Sequence, residues 1–217
     1  MPKTPKSPRR RPASTKRAAT PAAKQSQGQV RIIAGEWRGR KLPVADLEGL
    51  RPTGDRMKET LFNWIQADIA GSRCLDLFSG SGALALEALS RGAAAACLVD
   101  QSSQVTRQLQ ANLATLNSRL GHVVQGNSLE LLSRSDVLAA HGPYDVVFID
   151  PPFHHGLAQA SIDALIDSDK LAANSWVYVE VERELGAVTV PSHWTLHRDK
   201  TTGQVRSLLY RVSQPTA

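Results

Sequence analysis

The sequence predicts an α/β fold. A mostly parallel sheet is preceded by a small hairpin and a helix and closed by an antiparallel C-terminal hairpin. Three observations carry this. From residue 73 onward, strand-like runs alternate with helix-period segments. Runs such as Val146-Val147-Phe148-Ile149 are apolar without alternation, as expected of parallel strands covered on both faces. After residue 194 the pattern changes to two strand-like runs around Thr202-Gly203, which reads as a hairpin turn.

Taken in order, residues 1–29 contain Lys3, Lys6, Arg9, Arg10, Arg11, Lys16, Arg17 and Lys24, and no acid. They also hold five prolines and none of Leu, Ile, Val, Phe, Trp or Tyr. Such a segment cannot bury a core and is expected to be a disordered basic tail. A basic arm that meets nucleic acid is the preferred reading of it. An inert solubilising tail is one alternative, and an Arg-rich organelle leader is a weaker one, since the segment lacks an apolar helical face. The formal charge of the whole chain is +6, so the basic character belongs to this tail and not to the body.

Residues 30–217 are expected to form a single domain, with 30–52 as an N-terminal hairpin extension. Val30 to Val44 reads as two short strands around glycine turns. Arg51-Pro52-Thr53 breaks the chain, and Thr53 is placed to cap the next helix, whose apolar face is read as Met57, Leu61, Trp64, Ile65 and Ile69. Strands follow at 73–78, 95–100, 122–125, 144–149 and 175–181, with helices at 83–91, 102–117, 128–139 and 157–168. The hairpin strands are 194–199 and 204–212. No apolar run approaches the ~18 residues of a membrane span, and a cytoplasmic protein is expected. Cys74 and Cys97 lie in strand-like runs and read as buried thiols; no zinc pattern is present.

Two loops carry chemistry. The first strand of the alternating series runs into Ser79-Gly80-Ser81-Gly82 and then a helix. Glycines there let the backbone approach a ligand, and Ala85 stands where a dinucleotide fingerprint has its third small residue. Asp76 precedes the loop inside the strand, where an acid suits a cationic or amino group better than a pyrophosphate. Asp100 ends the next strand, at the place where a carboxylate accepts from ribose hydroxyls; its bland reading is a cap for helix 102–117. Together Asp76, Gly80, Gly82 and Asp100 make a pocket for S-adenosyl-L-methionine, with the ribose on Asp100. The second loop is Asp150-Pro151-Pro152-Phe153, which ends strand 144–149. Two prolines cannot extend a sheet, so they form a stiff loop that carries a carboxylate and an aromatic ring. In a parallel sheet both loops lie at the carboxyl edge, where ligands bind.

The second loop resembles the D/N-P-P-F/Y/W signature of class I methyltransferases that act on amino or amide nitrogen. More narrowly, "RIIAGEWRGRKLPV", "RPTGDRMKETLFNWI", "DLFSGSGALALEALSRGA", "FIDPPF" and "GQV" occur in order and resemble the RsmD family over about residues 30–212. These are the bacterial 16S ribosomal RNA guanine-N2 methyltransferases, whose target guanine is numbered 966 in the standard scheme. The resemblance implies a Rossmann-like class I methyltransferase with a mostly parallel seven-stranded sheet. It implies S-adenosyl-L-methionine as cofactor and 16S ribosomal RNA, within an assembled or assembling small subunit, as partner. It also implies a monomer. Thr53, Phe78, Asn127, Ser128 and Asp150 would join the four pocket residues around the cofactor. Asn127 stands where the family has an acid, and its amide oxygen would accept from the adenine amino group. His154-His155 replace a more usual polar or basic pair and are read as loop residues touching phosphate.

In this reading Asp150 and the Pro151 carbonyl accept the N–H groups of the target amine. Pro152 stiffens the loop, and Phe153 stacks on the base. The base leaves its own stack to enter the pocket. Arg38, Arg40, Lys41, Arg51 and Arg56 are candidates for RNA phosphate, against a solvated-surface alternative. Glu180 and Glu182 end a strand and read as structural. The loop chemistry alone fits N6 of adenine in DNA or RNA as well as N2 of guanine. A protein-glutamine methyltransferase and a non-catalytic RNA-binding module are further alternatives.

Overall fold

The computed structural model describes Met1 and residues 28–45, 54–134, 136–186 and 188–213. The expectations for Arg51, Thr53 and almost all of the basic tail lie outside the described residues. Gln29, assigned to the tail, is already the first residue of β1.

The alternating segment forms a seven-stranded sheet in the order β5-β4-β3-β6-β7-β9-β8. Its strands are β3 (Arg73–Asp76), β4 (Ala95–Asp100), β5 (Gly121–Gln125), β6 (Tyr144–Ile149), β7 (Leu171–Glu182), β8 (Trp194–Thr202) and β9 (Val205–Val212). β5, β4, β3, β6 and β7 pair in parallel, while β9 runs antiparallel to both β7 and β8. The strand order turns between β3 and β6. A chain built this way leaves a crevice at the carboxyl ends of those two strands, because the connections leave them toward opposite faces.

The central strands bury both faces, which explains their uninterrupted apolar runs. On one face Cys74, Leu98, Val146, Phe148 and Tyr178 pack against α1 (Asp55–Trp64), α2 (Ala83–Ser90) and α3 (Ser103–Thr115). On the other, Leu75, Val99, Val147, Ile149 and Val179 pack against α4 (Ser128–Ser133) and α5 (Leu157–Ile166). Cys74 and Cys97 are free and buried, as their setting in strands implies.

α2 reads Ala-Leu-Ala-Leu-Glu-Ala-Leu-Ser and is buried at every position. A helix that is apolar all round needs cover on both sides. The sheet covers one side, and the N-terminal hairpin, β1 (Gln29–Arg31) and β2 (Lys41–Pro43), covers the other. Glu87 on α2 accepts the backbone N–H groups of Ile33 and Ala34 at 2.8 and 3.0 Å, and Ser90 accepts that of Trp37 at 2.9 Å. Gly35 is required at this contact: a Cβ there would lie 1.8 Å from the Ser90 carbonyl oxygen. The extension is therefore a layer of the domain.

Several boundaries differ from the sequence reading. α1 has Gly54 as its N-cap residue, without a side-chain cap. Its buried positions are Lys58, Leu61 and Phe62; Ile65 and Ile69 are buried beyond its end, and Met57 is only half-buried. Lys58 is buried because its ammonium group bonds the Arg31 carbonyl at 2.5 Å and Asp55 at 3.2 Å. α4 stops at Ser133, and a separate 3₁₀ turn, Ala139–His141, follows. β7 starts at Leu171 because Tyr144 pairs with Leu171 before an irregularity in the ladder.

Candidate active site

The glycine loop is built by backbone bonds. After β3, the Ser79 N–H donates to the Val99 carbonyl at 2.9 Å, and the Gly82 N–H to the Ser79 carbonyl at 2.6 Å. Gly80 and Gly82 take φ of 48° and 77°, a region that costs a residue with a side chain ~1–2 kcal/mol. At Gly82 a Cβ would also lie 2.7 Å from Leu109 Cδ2. The backbone conformation thus favours glycine at both positions, and at Gly82 the neighbouring leucine adds a steric reason.

Asp100 fastens this loop. One carboxylate oxygen accepts the Gly80 N–H at 3.0 Å and the other the Ser102 N–H at 2.8 Å. The α3 cap is Ser102, whose hydroxyl accepts from Val105. So Asp100 does part of what the bland reading gave it, holding the turn before α3, while also tying β4 to the glycine loop. Each of its oxygens keeps a further acceptor lone pair.

Asp76 is buried, and its pKa is pushed up to about 8. Burial is the main cause and the Asp150 charge the next; backbone hydrogen bonds from Ala85 and Phe78 oppose the shift. The acid thus holds the loop and the start of α2 together. Phe78 is half-buried beside the second core. Ser128 is buried and donates to the Leu77 carbonyl, which pins the start of α4 to the β3 exit. The Asn127 amide oxygen accepts the Leu129 and Glu130 N–H groups at 3.0 and 3.3 Å. It is the N-cap of α4, so the adenine contact expected of this oxygen competes with the cap.

Asp150 follows β6 directly. Its charge acts on Asp76, on Tyr178 and on Glu180. Pro151 is buried, Pro152 exposed and Phe153 half-buried. A cavity of about 500 Å³ lies here, lined by Pro151, Pro152, Phe153, His154, Leu157 and Glu182 among others. The residues of the glycine loop are not among those that line it. His154 has φ of 66°, and its backbone N–H donates to the Glu182 carboxylate, with the imidazole Nδ1 3.6 Å away. Glu182 thereby holds the end of the Asp-Pro-Pro-Phe loop.

The structure therefore brings Asp76, Gly80, Gly82, Asp100, Ser128 and Asp150 to one sheet edge, at the turn in strand order. Glu180 is the residue that the sequence reading underrated: it is 5% exposed and adjoins Asp150. An acid inside the run Trp176-Val-Tyr-Val-Glu-Val181 was the available signal. Arg38, Arg40, Lys41 and Arg56 are exposed, and Arg38 and Arg56 line a second groove of about 690 Å³ with Arg31 and Arg91.

Residues 30–211 match the family model described as "Conserved hypothetical protein 95". The chain belongs to this family. The chain is 50% identical over 184 residues to the Ribosomal RNA small subunit methyltransferase D of Escherichia coli K12, covering 85% of this chain and 90% of that one. The protein of the same name from Haemophilus influenzae is 48% identical over 198 residues, covering 90% and 99%. Among solved structures, a putative methyltransferase from Escherichia coli superposes with a TM-score of 0.79 at 47% identity, covering 87% of this chain and all of that one. An RNA methyltransferase from Salinibacter ruber, in complex with S-adenosyl-L-homocysteine, shares the fold at 14% identity with a TM-score of 0.57. For this family, the seven-stranded sheet with its closing hairpin is the class I methyltransferase fold expected from the motifs.

Proposed function

We propose that this chain transfers a methyl group from S-adenosyl-L-methionine to the exocyclic N2 amino group of guanine 966 in 16S ribosomal RNA. One observation carries the proposal: the Asp150-Pro151-Pro152-Phe153 loop meets the glycine loop at the turn in strand order, with Asp76 and Asp150 near enough for their charges to interact. The names of the relatives support ribosomal RNA of the small subunit as the substrate class. Guanine and its position rest on the resemblance.

The residues present fit the methyl donor. Gly80 and Gly82 leave the backbone bare beside the α2 N-terminus, and the Asp100 carboxylate on the Gly80 N–H has lone pairs for ribose hydroxyls. Asp76 supplies a carboxylate for a cationic group, and Phe78, Asn127 and Ser128 border the adenine. The donor supplies an electrophilic methyl on a sulfonium.

On the target side, Asp150 accepts one N–H of the guanine amine and the Pro151 carbonyl the other. Both acceptors are fixed before reaction, which is where electrostatic catalysis gains most. Transfer would form the N–C bond as the donor's S–C bond breaks, with that electron pair staying on sulfur, and the methylated nitrogen would give its proton to water. The negative Asp150 stabilises the positive charge that develops on nitrogen. Phe153 provides the stacking face.

The test is transfer of labelled methyl from S-adenosyl-L-methionine to 16S RNA lacking the modification, followed by nucleoside digestion. N2-methylguanosine is expected. N6-methyladenine, or label confined to DNA or protein, would overturn the substrate assignment.

A further inference from the structure

At the carboxyl edge of the sheet, β6 and β7 pair in register as far as Ile149 and Val179. One step further places Asp150 beside Glu180. Phe148 and Tyr178, two residues earlier on each strand, face the α1–α3 side, so the two acids share that face. Glu180 is 5% exposed. The Tyr178 hydroxyl donates to Glu180 Oε1 at 2.5 Å and lies 3.1 Å from Ser207 Oγ on β9. The phenol thus occupies one side of the Glu180 carboxyl, and the other side meets Asp150.

We infer that Glu180 is a positioning residue for Asp150: held by Tyr178, its carboxyl donates a hydrogen bond to the Asp150 carboxylate and fixes the orientation from which Asp150 receives the target amine. The inference rests on the methyl-transfer reading of Asp150 and adds the group that aims it. Two carboxyl groups side by side, one of them buried, resist ionising together, so the pair favours one proton and one negative charge. The Glu180 pKa is raised to about 8, first by burial and then by the Asp150 charge. Glu180 is the more buried of the two, so the shared proton is assigned to it and Asp150 is left as the acceptor.

The groups that face Glu180 pull both ways: the Tyr178 hydrogen bond favours its ionised form, while burial and the Asp150 charge outweigh it. From β6 there is Asp150, on its own strand Tyr178, and from β9 Ser207. Behind Ser207 is the uncharged Met57 of α1, 3.4 Å away. Asp76 of β3 lies beyond Asp150 and brings no positive charge. Lys200 of β8, next along the row after Ser207, donates to Thr60 Oγ1 of α1 at 3.1 Å. The Lys200 ammonium is thus engaged by Thr60, and the charged neighbour acting on Glu180 is Asp150.

The experiment is single-turnover methylation by the full-length protein, with S-adenosyl-L-methionine and undermethylated small-subunit RNA, from about pH 6.5 to 9. Wild type, Glu180→Ala, Glu180→Gln and Asp150→Ala are compared. Glu180→Ala is expected to lower the rate about 10- to 100-fold, as misaimed groups do, with methyl-donor affinity unchanged. Wild type should lose rate as pH rises through about 8, where Glu180 gives up its proton. Glu180→Gln keeps a donor that cannot titrate, so it should restore most of the rate and abolish the alkaline decline. A wild-type rate for Glu180→Ala, or an alkaline decline preserved in Glu180→Gln, overturns the inference. Should Glu180→Ala not fold, the Glu180→Gln profile decides alone. An inactive Asp150→Ala beside a fully active Glu180→Ala sinks only the role of Glu180. A fully active Asp150→Ala sinks the proposed function itself.

Discussion

The carboxylate of Asp100 accepts the backbone N–H of Gly80 at 3.0 Å, tying the end of β4 to the glycine loop. This contact makes the loop and the proposed ribose acceptor one unit. Asp100→Ala should weaken S-adenosyl-L-methionine binding by ~1–3 kcal/mol, the loss of a charge-assisted hydrogen bond. Isothermal titration on folded protein checks it, and an unchanged affinity would remove Asp100 from the pocket.

Asp76 makes donor binding pH-dependent. In the free protein its pKa is raised to about 8, chiefly by burial, so it is mostly protonated at neutral pH. A cationic ligand favours the ionised form, so binding should release a proton. Affinity should therefore rise with pH up to about 8 and then level off. Titrations in two buffers of different ionisation enthalpy measure the released proton; equal heats would mean that no cation reaches Asp76.

Asp76 and Glu180 also affect stability. Both pKa values are raised on folding. The folded state then binds more protons than the unfolded state between about pH 4, the unfolded value, and about pH 8. Their contribution to stability is greatest at the low end of that window and is lost as pH rises through it. His141, whose pKa is lowered mainly by burial, opposes this trend only below its unfolded value of about 6.5. Urea unfolding from about pH 6.5 to 8 should show wild type losing stability more steeply than Glu180→Gln. Parallel curves would contradict the assignment.

Much of the fold was legible because its strands are buried on both faces and its loops carry glycine and proline where the chain must turn. The Gly80 and Asp150 loops, and the succession of strands and helices along the chain, follow from that pattern; the order of strands in the sheet does not. The α1 face was less legible. Lys58 is buried through a carbonyl on a distant strand and a neighbouring acid, which apolar periodicity cannot show. The α4 boundary was overrun because Leu138 continues the apolar spacing, although the chain leaves the helix at Arg134. Glu180 was read as structural because its place beside Asp150 shows only when the neighbouring strand is known.

The cover over α2 should matter as much as the sheet beneath it. Glu87 is fully buried, accepts two hairpin N–H groups and pairs with Arg91 at 2.8 Å. Glu87→Ala would leave those donors without their partner and should cost ~3–5 kcal/mol. Chemical denaturation measures the loss, and a change under about 1 kcal/mol, the typical effect of a single substitution, would show that the hairpin is held by apolar contacts alone.

The most direct test of the account is nucleoside mass spectrometry on small-subunit RNA from a strain lacking the gene, complemented with wild type or Asp150→Ala. The account predicts that one N2-methylguanosine is missing from the deletion strain. Wild type should restore it, and Asp150→Ala should not, its turnover having fallen ~10²-fold or more with the loss of a preorganised acceptor. An unchanged N2-methylguanosine content in the deletion strain, or full restoration by Asp150→Ala, would contradict it.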